Sequence, residues 1–282
     1  MVKIRPGIMR DCKDLLMVYM GTHWADGYTT VEQIKTVHRG IIFNKWGWLV
    51  AEEKGTVVGE VIFRIEKNPA LGRIGIIRDI GVDVRFQKRK IGTKLTRAAE
   101  DVLREKGANR VLATTPPEAR NYWIKVGYFA KGMSHRIEIS PAKVPARKTK
   151  AVITSQPKET KKLPTSMSFS HIGYPGLLAE IASEIVDYGK KGRLFEYYVG
   201  KSLAGVGAIV LQDDKSALFS ADVTKRGLEH LDVALLRTAK GASNLRAKKV
   251  CSVIPKEHFA LVQNLAPWRS TLERDIPVTR LI

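Results

Sequence analysis

The segment 87–93 combines three cationic side chains with a glycine where a β-rich run gives way to a helical pattern. The first N–H groups of a helix have no intrahelical partner, and the helix macrodipole favours negative charge at that end. Gly92 lets a ligand approach the backbone closely. The cations, which are suited to phosphates, are Lys88, Arg89 and Lys90. The segment therefore predicts a site that holds a diphosphate group.

Two carboxylates lie shortly before this segment, within the β-rich run. Asp79 and Asp83 are separated by an even number of positions, so a regular strand directs both to the same side of a sheet. A carboxylate in that place can bind a substrate amine or assist its deprotonation. The alternative for Asp79 is an ion pair with Arg78, with Arg85 or with another of the many cations. Both interpretations stay open at this stage.

Turn and cap signals give the order of the elements before the segment. Asp11 is a plausible N-cap for a first helix, and Thr30 with Glu32 predicts a capping box for a second helix. Lys54 and Gly55 separate two β-rich runs and predict a hairpin. A third strand, over residues 73–84, then leads to the cationic segment.

An amphipathic helix follows the cationic segment. Apolar residues recur at helical spacing from Leu95 to Leu103, and Gly107 is typical of a helix C terminus. The remaining predicted elements are a strand over 109–116, a helix over 117–127 and a hairpin over 128–140. The order β-α-α-β-β-β-α-β-α-β-β predicts a mixed α/β sheet flanked by helices for residues 1–140.

The second half repeats a similar order of elements more weakly. Residues 141–170 contain four prolines, seven Lys or Arg and one acidic residue without apolar periodicity, which predicts a basic linker. Residues 171–282 are predicted to form a second domain that is a diverged copy of the first. The copy lacks a phosphate loop, because its connection over 220–230 is short and contains only Gly227.

Composition limits the class of protein. The 282 residues are 44% hydrophobic and 27% charged, which is typical of a soluble globular chain. No stretch is apolar enough to span a membrane or act as a secretory signal, so a cytoplasmic location is the expectation. Cys12 and Cys251 fit neither a disulfide framework nor a metal cluster, and no metal site is predicted. The net charge of +20 attracts anions, and a Lys/Arg-rich surface is as good an explanation as nucleic-acid binding.

The residues around the cationic segment resemble the GCN5-related N-acetyltransferase (GNAT) superfamily. Its loop pattern, Q/R-x-x-G-x-G/A after a strand, is similar to residues 82–95, and its alanine, aromatic and Gly-aromatic pattern is similar to residues 118–129. The positions that match the first pattern are Val82, Gln87, Ile91, Gly92 and Leu95. The resemblance covers nearly all of residues 2–140 and implies two tandem acyl-CoA N-acyltransferase-like domains, the second degenerate.

The resemblance also implies the cofactor, acetyl-CoA, and the residues that would bind it. These are Ile80, Gly81, Val82, Gln87, Lys88, Arg89, Lys90, Ile91, Gly92 and Thr93. Lys88 and Lys90 depart from the family pattern, because many members have glycine at both positions. A Lys90 side chain either adds a phosphate contact or obstructs coenzyme A. Thr93 can equally serve as an ordinary helix cap.

The resemblance implies two catalytic candidates. Asp79 matches an acidic position that contacts the substrate amine in polyamine-acetylating members. Trp123 stands where many members have the tyrosine that protonates the leaving thiolate, and tryptophan cannot act as that acid. Tyr122 is adjacent and could substitute only if the helix is rotated or shifted by a residue, since neighbouring helical positions point about 100° apart. A packed aromatic is the alternative for Tyr122.

The predicted function is acetyl transfer from acetyl-CoA to the primary amine of an unidentified acceptor. The alternative is a regulatory protein on the same fold that binds acyl-CoA or nucleic acid with little or no catalysis. His23 and His38 are candidates for the lining of an acceptor pocket, with a solvated or capping histidine as the alternative. The second domain is expected to shape the acceptor site or to support a homodimer.

Overall fold

The computed structural model describes residues 1–21, 28–146, 152–155 and 171–282. These residues form two compact units. Unit 1 comprises residues 1–65, 73–130 and 278–282, and unit 2 comprises residues 66–72 and 131–277. Among the described residues, no helix combines the length and apolar character needed to cross a bilayer.

The described residues of unit 1 form a seven-stranded mixed sheet and four α-helices. In sheet order the strands are β1 (Lys3–Pro6), β2 (Trp48–Glu53), β3 (Thr56–Asn68), β4 (Gly72–Val82), β5 (Arg110–Thr115), β14 (Ile276–Leu281) and β6 (Phe129–Ala130). The helices are α1 (Cys12–Met20), α2 (Val31–Val37), α3 (Ile91–Glu105) and α4 (Arg120–Lys125). The predicted order of elements is therefore present as far as β6.

The helix caps differ in detail from the predicted ones. Asp11 occupies the N-cap of α1, but its carboxylate accepts hydrogen bonds from the Ile8 N–H and the Arg5 guanidinium. Thr30 caps α2 as predicted, and Gln33 rather than Glu32 completes the capping box. The reason is register: Gln33 is the third helical residue, whose side chain reaches back to the N-cap N–H.

The turns predicted from glycine are present. Lys54 and Gly55 both have positive φ, at 51° and 82°, which is the backbone of a tight hairpin turn between β2 and β3. Gly107 follows α3 with φ 81°, as a left-handed helix terminus requires. Leu95 and Leu103 are buried on one side of α3, so its apolar stripe packs against the sheet.

The hairpin predicted over 128–140 does not form, because its two strands belong to different sheets. β6 pairs with β14, with Val278 opposite Ala130. The other strand, β7 (His135–Ile139), lies in the sheet of unit 2. Alternating apolar residues predict a strand but do not specify its partner, and here both partners come from more than a hundred residues away in the chain.

Unit 2 contains a second seven-stranded mixed sheet. In sheet order the strands are β13 (Arg269–Leu272), β7, β12 (Lys249–Ile254), β11 (Ser216–Val223), β10 (Ser202–Leu211), β9 (Gly192–Val199) and β8 (Val152–Ser155). The helices are α5 (Leu177–Val186), α6 (Leu231–Asn244) and α7 (Lys256–Val262). α6 packs its apolar side, including Leu235 and Leu236, into a core with Ile209 and Phe219.

The two units differ in their boundaries from the predicted division at residues 140 and 170. β7 precedes residue 140 but belongs to unit 2, and β14 ends the chain but belongs to unit 1. Most of the predicted linker lies outside the described residues. Residues 152–155 form strand β8, and Pro141–Lys143 form a short 3-10 helix.

Candidate functional site

β4 and β5 run parallel and then separate. Among the described residues their pairing ends with Ile77 opposite Ala113, although β4 continues to Val82 and β5 to Thr115. The edge of β4 over residues 78–82 is therefore not laddered to β5. Ile80, Gly81 and Val82, which were predicted to contact the cofactor, lie on this stretch.

The turn after β4 is held by Asp83 and Gln87. The Asp83 carboxylate is 2% exposed, accepts the Arg85 N–H at 2.9 Å and pairs with the Arg85 guanidinium at 2.6 Å. The Arg85 hydrogen bond lowers the pKa of Asp83. The Gln87 side-chain amide donates to the Val82 carbonyl at 3.1 Å. Asp83 and Gln87 therefore stabilise the loop, and Asp83 is not available to a substrate amine.

The loop adopts a glycine-like backbone at two lysines. Lys88 and Lys90 both have φ 60°, in the left-handed region that L-residues enter at a cost. These are the two positions where the GNAT pattern favours glycine, so the backbone shape is kept although the residue type has changed. Both side chains are exposed.

The start of α3 presents unpaired amides. Lys90 is the N-cap of α3, and the Lys94 N–H makes the first intrahelical bond, to the Lys90 carbonyl at 3.1 Å. The N–H groups of Ile91, Gly92 and Thr93 come before that bond and have no intrahelical acceptor. The Ile91 side chain is 2% exposed and packs in the core, so only its amide can serve a ligand. The arrangement suits an anion.

We expect Lys90→Gly to stabilise the protein. The change removes the cost of holding an L-residue in the left-handed region, which is about 1–2 kcal/mol. Glycine also raises the conformational entropy of the unfolded state, which offsets part of this gain and leaves a net stabilisation of about 0.5–1 kcal/mol. The matched control is Lys94→Gly, which places the same change in the exposed helical part of α3 and should destabilise by about 1 kcal/mol. Urea unfolding measures the free energy of unfolding of both variants. An equal loss of stability in Lys90→Gly and Lys94→Gly would contradict the strain at Lys90.

Arg89 is committed to a structural contact. Its guanidinium pairs with Glu53 at 2.5 Å and lies 5.3 Å from the centre of the Phe86 ring. The Arg89 hydrogen bond lowers the pKa of Glu53. Arg89 thereby ties the loop to the end of β2. Arg89 is exposed like Lys88 and Lys90, but its ion pair with Glu53 favours a positioning role over a phosphate contact.

Tyr122 lies against the start of α3. A Cβ atom on Gly92 would lie 3.3 Å from both the ring and the hydroxyl of Tyr122. The Tyr122 hydroxyl is 2.6 Å from Thr96 Oγ1, one turn into α3. Burial raises the pKa of Tyr122 to about 12 against the lowering effect of the Thr96 hydrogen bond, so the phenol is protonated at neutral pH. Trp123 is 3% exposed and packs edge-to-face on Tyr128.

Asp79 lies on β4, three residues before the end of that strand. Its carboxylate is 3.2 Å from Arg78 Nε, and its side chain is 17% exposed. Burial, then the charges of Glu60 and Asp79, raise the pKa of Tyr19 well above its usual range, which places both carboxylates within electrostatic reach of that phenol. The ion pair with Arg78 that was the alternative interpretation is thus present, and it leaves Asp79 partly accessible.

The buried ion pair between His38 and Glu60 was not predicted from the sequence. Glu60 Oε2 is 2.9 Å from His38 Nε2 and accepts a hydrogen bond from Trp48 Nε1 at 2.9 Å, and both members of the pair have fully buried side chains. Burial lowers the pKa of His38, but the Glu60 charge together with hydrogen bonds to Cys12, Glu60 and the Ile34 carbonyl outweighs it and raises the pKa to about 10. His38 is therefore not at a pocket surface. His23 lies outside the described residues.

The turn after β11, which corresponds in unit 2 to the turn after β4, uses a main-chain N–H group for an internal hydrogen bond. β11 and β12 also separate, after Leu218 opposite Cys251. The turn that follows is a 3-10 helix capped by Thr224, in which the Gly227 N–H donates to the Thr224 carbonyl at 2.8 Å. A Cβ on Gly227 would lie 1.8 Å from the Ala204 carbonyl oxygen, so the turn is packed tightly onto β10. It is not built as a cradle for a diphosphate.

Comparison with known proteins shows which family the central part of unit 1 is similar to. Residues 15–128 match the family model described as Acetyltransferase (GNAT) family. Residues 15–128 are therefore similar to the GNAT family. A stretch of 66 residues is 30% identical to a rice (Oryza sativa subsp. japonica) protein named probable glucosamine 6-phosphate N-acetyltransferase 2. That match spans 23% of this chain and only 40% of the rice protein.

Solved GNAT structures match the whole chain in fold. One match is a GCN5-related N-acetyltransferase from Anabaena variabilis, and it covers 100% of this chain and 73% of that protein's chain. The TM-score is 0.65 and the sequence identity is 10%. A tandem GNAT protein from the clavulanic acid biosynthesis pathway also matches, and the match covers 100% of this chain and 98% of that protein's chain. Its TM-score is 0.53 and its sequence identity is 14%. These identities show the fold alone. The prediction of two tandem GNAT-like domains, each a mixed sheet flanked by helices, is confirmed.

Proposed function

We propose that unit 1 transfers an acetyl group from acetyl-CoA to a primary amine. The observation that carries the proposal is the open edge of β4 ending beside the free amides of α3. An extended chain can lie along residues 78–82 as an added strand, and a diphosphate at its end then reaches the N–H groups of Ile91, Gly92 and Thr93. Lys88 and Lys90 add positive charge at the solvent side of that position.

The same edge of β4 suits the reacting carbonyl. Backbone N–H groups aimed at a carbonyl oxygen stabilise the negative charge that develops when an amine attacks it. A main-chain N–H group of the stretch Ile80 to Val82 is our candidate for that role, because the ladder to β5 ends before this stretch. The attack forms the C–N bond and breaks the C–S bond, so the site must also remove a proton from the amine and return one to the thiolate.

Tyr122 is the group we assign to the thiolate. Its hydroxyl lies next to Gly92 and Thr96, at the inner end of the loop, and its raised pKa keeps the proton available at neutral pH. The indole of Trp123, although it occupies the family's tyrosine position, cannot donate an ionisable proton and is buried.

Asp79 is the group we assign to the amine. It is near the end of β4, close to the stretch that would hold the thioester, and its side chain remains partly exposed beside Arg78. A carboxylate there attracts an ammonium group and accepts its proton directly or through water. Asp83, the other candidate, is excluded by its pairing with Arg85.

Calorimetry and turnover test the proposal. Acetyl-CoA should bind to the full chain, and thiol release should depend on an amine from a panel that includes polyamines, peptides and, because of the rice relative's name, an amino sugar phosphate. We expect Asp79→Asn to lower kcat about 100-fold, in the range for loss of a general base, with unchanged acetyl-CoA binding. Binding without amine-dependent thiol release would favour the regulatory alternative, and absence of binding would refute the proposal.

A further inference from the structure

The end of the chain is part of the sheet of unit 1. β14 lies between β5 and β6, so its backbone is bonded on both sides. The Thr279 hydroxyl donates to the Val111 carbonyl at 3.0 Å, and the Ile282 N–H donates to the Asn109 carbonyl at 3.2 Å. Residues that come last in the sequence are therefore placed beside α3 and α4.

Arg280, on β14, connects α3 to the end of α4. Its Nη1 donates to the Val126 carbonyl at 2.7 Å and lies 3.5 Å from Glu100 Oε1. Arg97, on α3, donates to the same Val126 carbonyl at 2.8 Å and to Glu100 Oε2 at 2.8 Å. Val126 is the C-cap of α4. Two guanidinium groups thus hold the last carbonyl of α4 against the carboxylate of α3.

The buried charge makes this connection firm. The Glu100 side chain is only 2% exposed, and a buried carboxylate that loses a cationic partner is costly. Gly127, with φ 91°, turns the chain directly after Val126, and a Cβ there would lie 3.3 Å from Arg280 Nη1. The close approach of Arg280 and the turn at Gly127 therefore depend on each other.

α4 needs such support because it has six residues. A helix of that length is not stable by itself, so its position is set by tertiary contacts. At its first turn the contact is the Tyr122 hydroxyl on Thr96, and at its end the contact is the Val126 carbonyl on Arg97 and Arg280. Loosening the end of α4 releases Tyr122 from the start of α3.

We propose that Arg280 is a positioning residue for Tyr122, so that the C-terminal strand completes the thioester site of unit 1. The inference rests on the proposed function where it concerns catalysis. Arg280 is more than 150 positions from Tyr122 in the chain. It affects the transfer step because it holds the carbonyl that ends the helix carrying Tyr122.

The test compares Arg280→Leu and Arg280→Lys with Arg104→Leu, a control that removes an exposed arginine from helix α3. We expect Arg280→Leu to speed amide exchange over residues 119–128 about 10-fold, to bring the pKa of Tyr122 down toward that of an exposed phenol in tyrosine NMR titrations, and to lower kcat about 10-fold. The affinity for coenzyme A should change less than 3-fold. Arg280→Lys, which keeps one donor, should lie between Arg280→Leu and the wild type and guards against a variant that does not fold.

Three outcomes decide the inference. Unchanged exchange and an unchanged Tyr122 titration in Arg280→Leu would overturn it. Faster exchange with unchanged kcat would overturn the effect on catalysis. If the wild type has no turnover at all, the proposed function fails, and the exchange and tyrosine measurements still decide whether Arg280 positions Tyr122.

Discussion

Gly92→Asp should bind coenzyme A about 100-fold more weakly than Gly92→Asn. The two side chains are nearly equal in size and meet the same ring of Tyr122, which lies 3.3 Å from a Cβ at this position. They differ in one negative charge at the second residue of α3, where the amides would hold a diphosphate. Repulsion between like charges at short range is worth several kcal/mol near a protein surface, and a 100-fold loss needs only about 2.7 kcal/mol.

Stability distinguishes this effect from misfolding. A carboxylate in the first turn of a helix is favourable by about 0.3–1 kcal/mol, so Gly92→Asp should be at least as stable as Gly92→Asn while it binds less well. Calorimetric titration gives the affinities, and urea unfolding gives the stabilities. Equal affinities in the two variants would show that the diphosphate is not held at the start of α3.

Removing His38 should destabilise the protein by about 3–5 kcal/mol, because His38→Leu leaves the buried Glu60 carboxylate without its cation. Glu60→Gln should cost less, since an amide oxygen in the place of Oε2 can still accept from Trp48 Nε1 and from the Nε2–H of a neutral imidazole. The double variant, His38→Leu with Glu60→Gln, should be more stable than His38→Leu alone. Urea unfolding measures all three, and a double variant that is less stable than both single variants would contradict the buried charge.

The same pair predicts a pH dependence. The folded-state pKa of His38 is raised to about 10 from an unfolded value of 6.5, so its stabilisation is complete below about pH 6.5 and is lost as the pH rises toward 10. The free energy of unfolding should fall by up to about 1.4 kcal/mol per pH unit across that window. Glu60→Gln should lack this component. A parallel pH profile in the wild type and in Glu60→Gln would refute the assignment.

The local elements of unit 1 could be read from the sequence because their signals are local. The helix after residue 90, its stop at Gly107 and the turn at Lys54 and Gly55 all depend on residues within one or two turns of one another. The loop pattern likewise pointed to the start of α3. Its two lysines looked like departures, and their left-handed backbone shows that the loop shape survives the loss of glycine.

The pairing of distant segments could not be read in the same way. β6 and β7 are adjacent in the chain, yet they pair with β14 in one sheet and with β12 and β13 in the other. Nothing in their composition encodes partners so far away, since strand patterns specify faces rather than neighbours. For the same reason, the contacts of Arg280 could not be predicted from the sequence.

One buried group did leave a signal. Glu60 stands within the strongly apolar run of β3, where a carboxylate needs a partner if the strand is buried. The partner, His38, is 22 residues earlier and could be named only from the structure. The role of Asp83 shows the reverse case, because its spacing from Asp79 suggested a shared face whereas Arg85, two residues on, determines its contacts.

The central claim is that main-chain amides at the start of α3 hold the diphosphate of coenzyme A. Backbone NMR during titration with coenzyme A measures this directly through the N–H resonances of Ile91, Gly92 and Thr93. The account predicts that these three move strongly downfield and saturate together at the same ligand concentration. It would be contradicted if coenzyme A bound while these resonances stayed in place and the shifts appeared elsewhere.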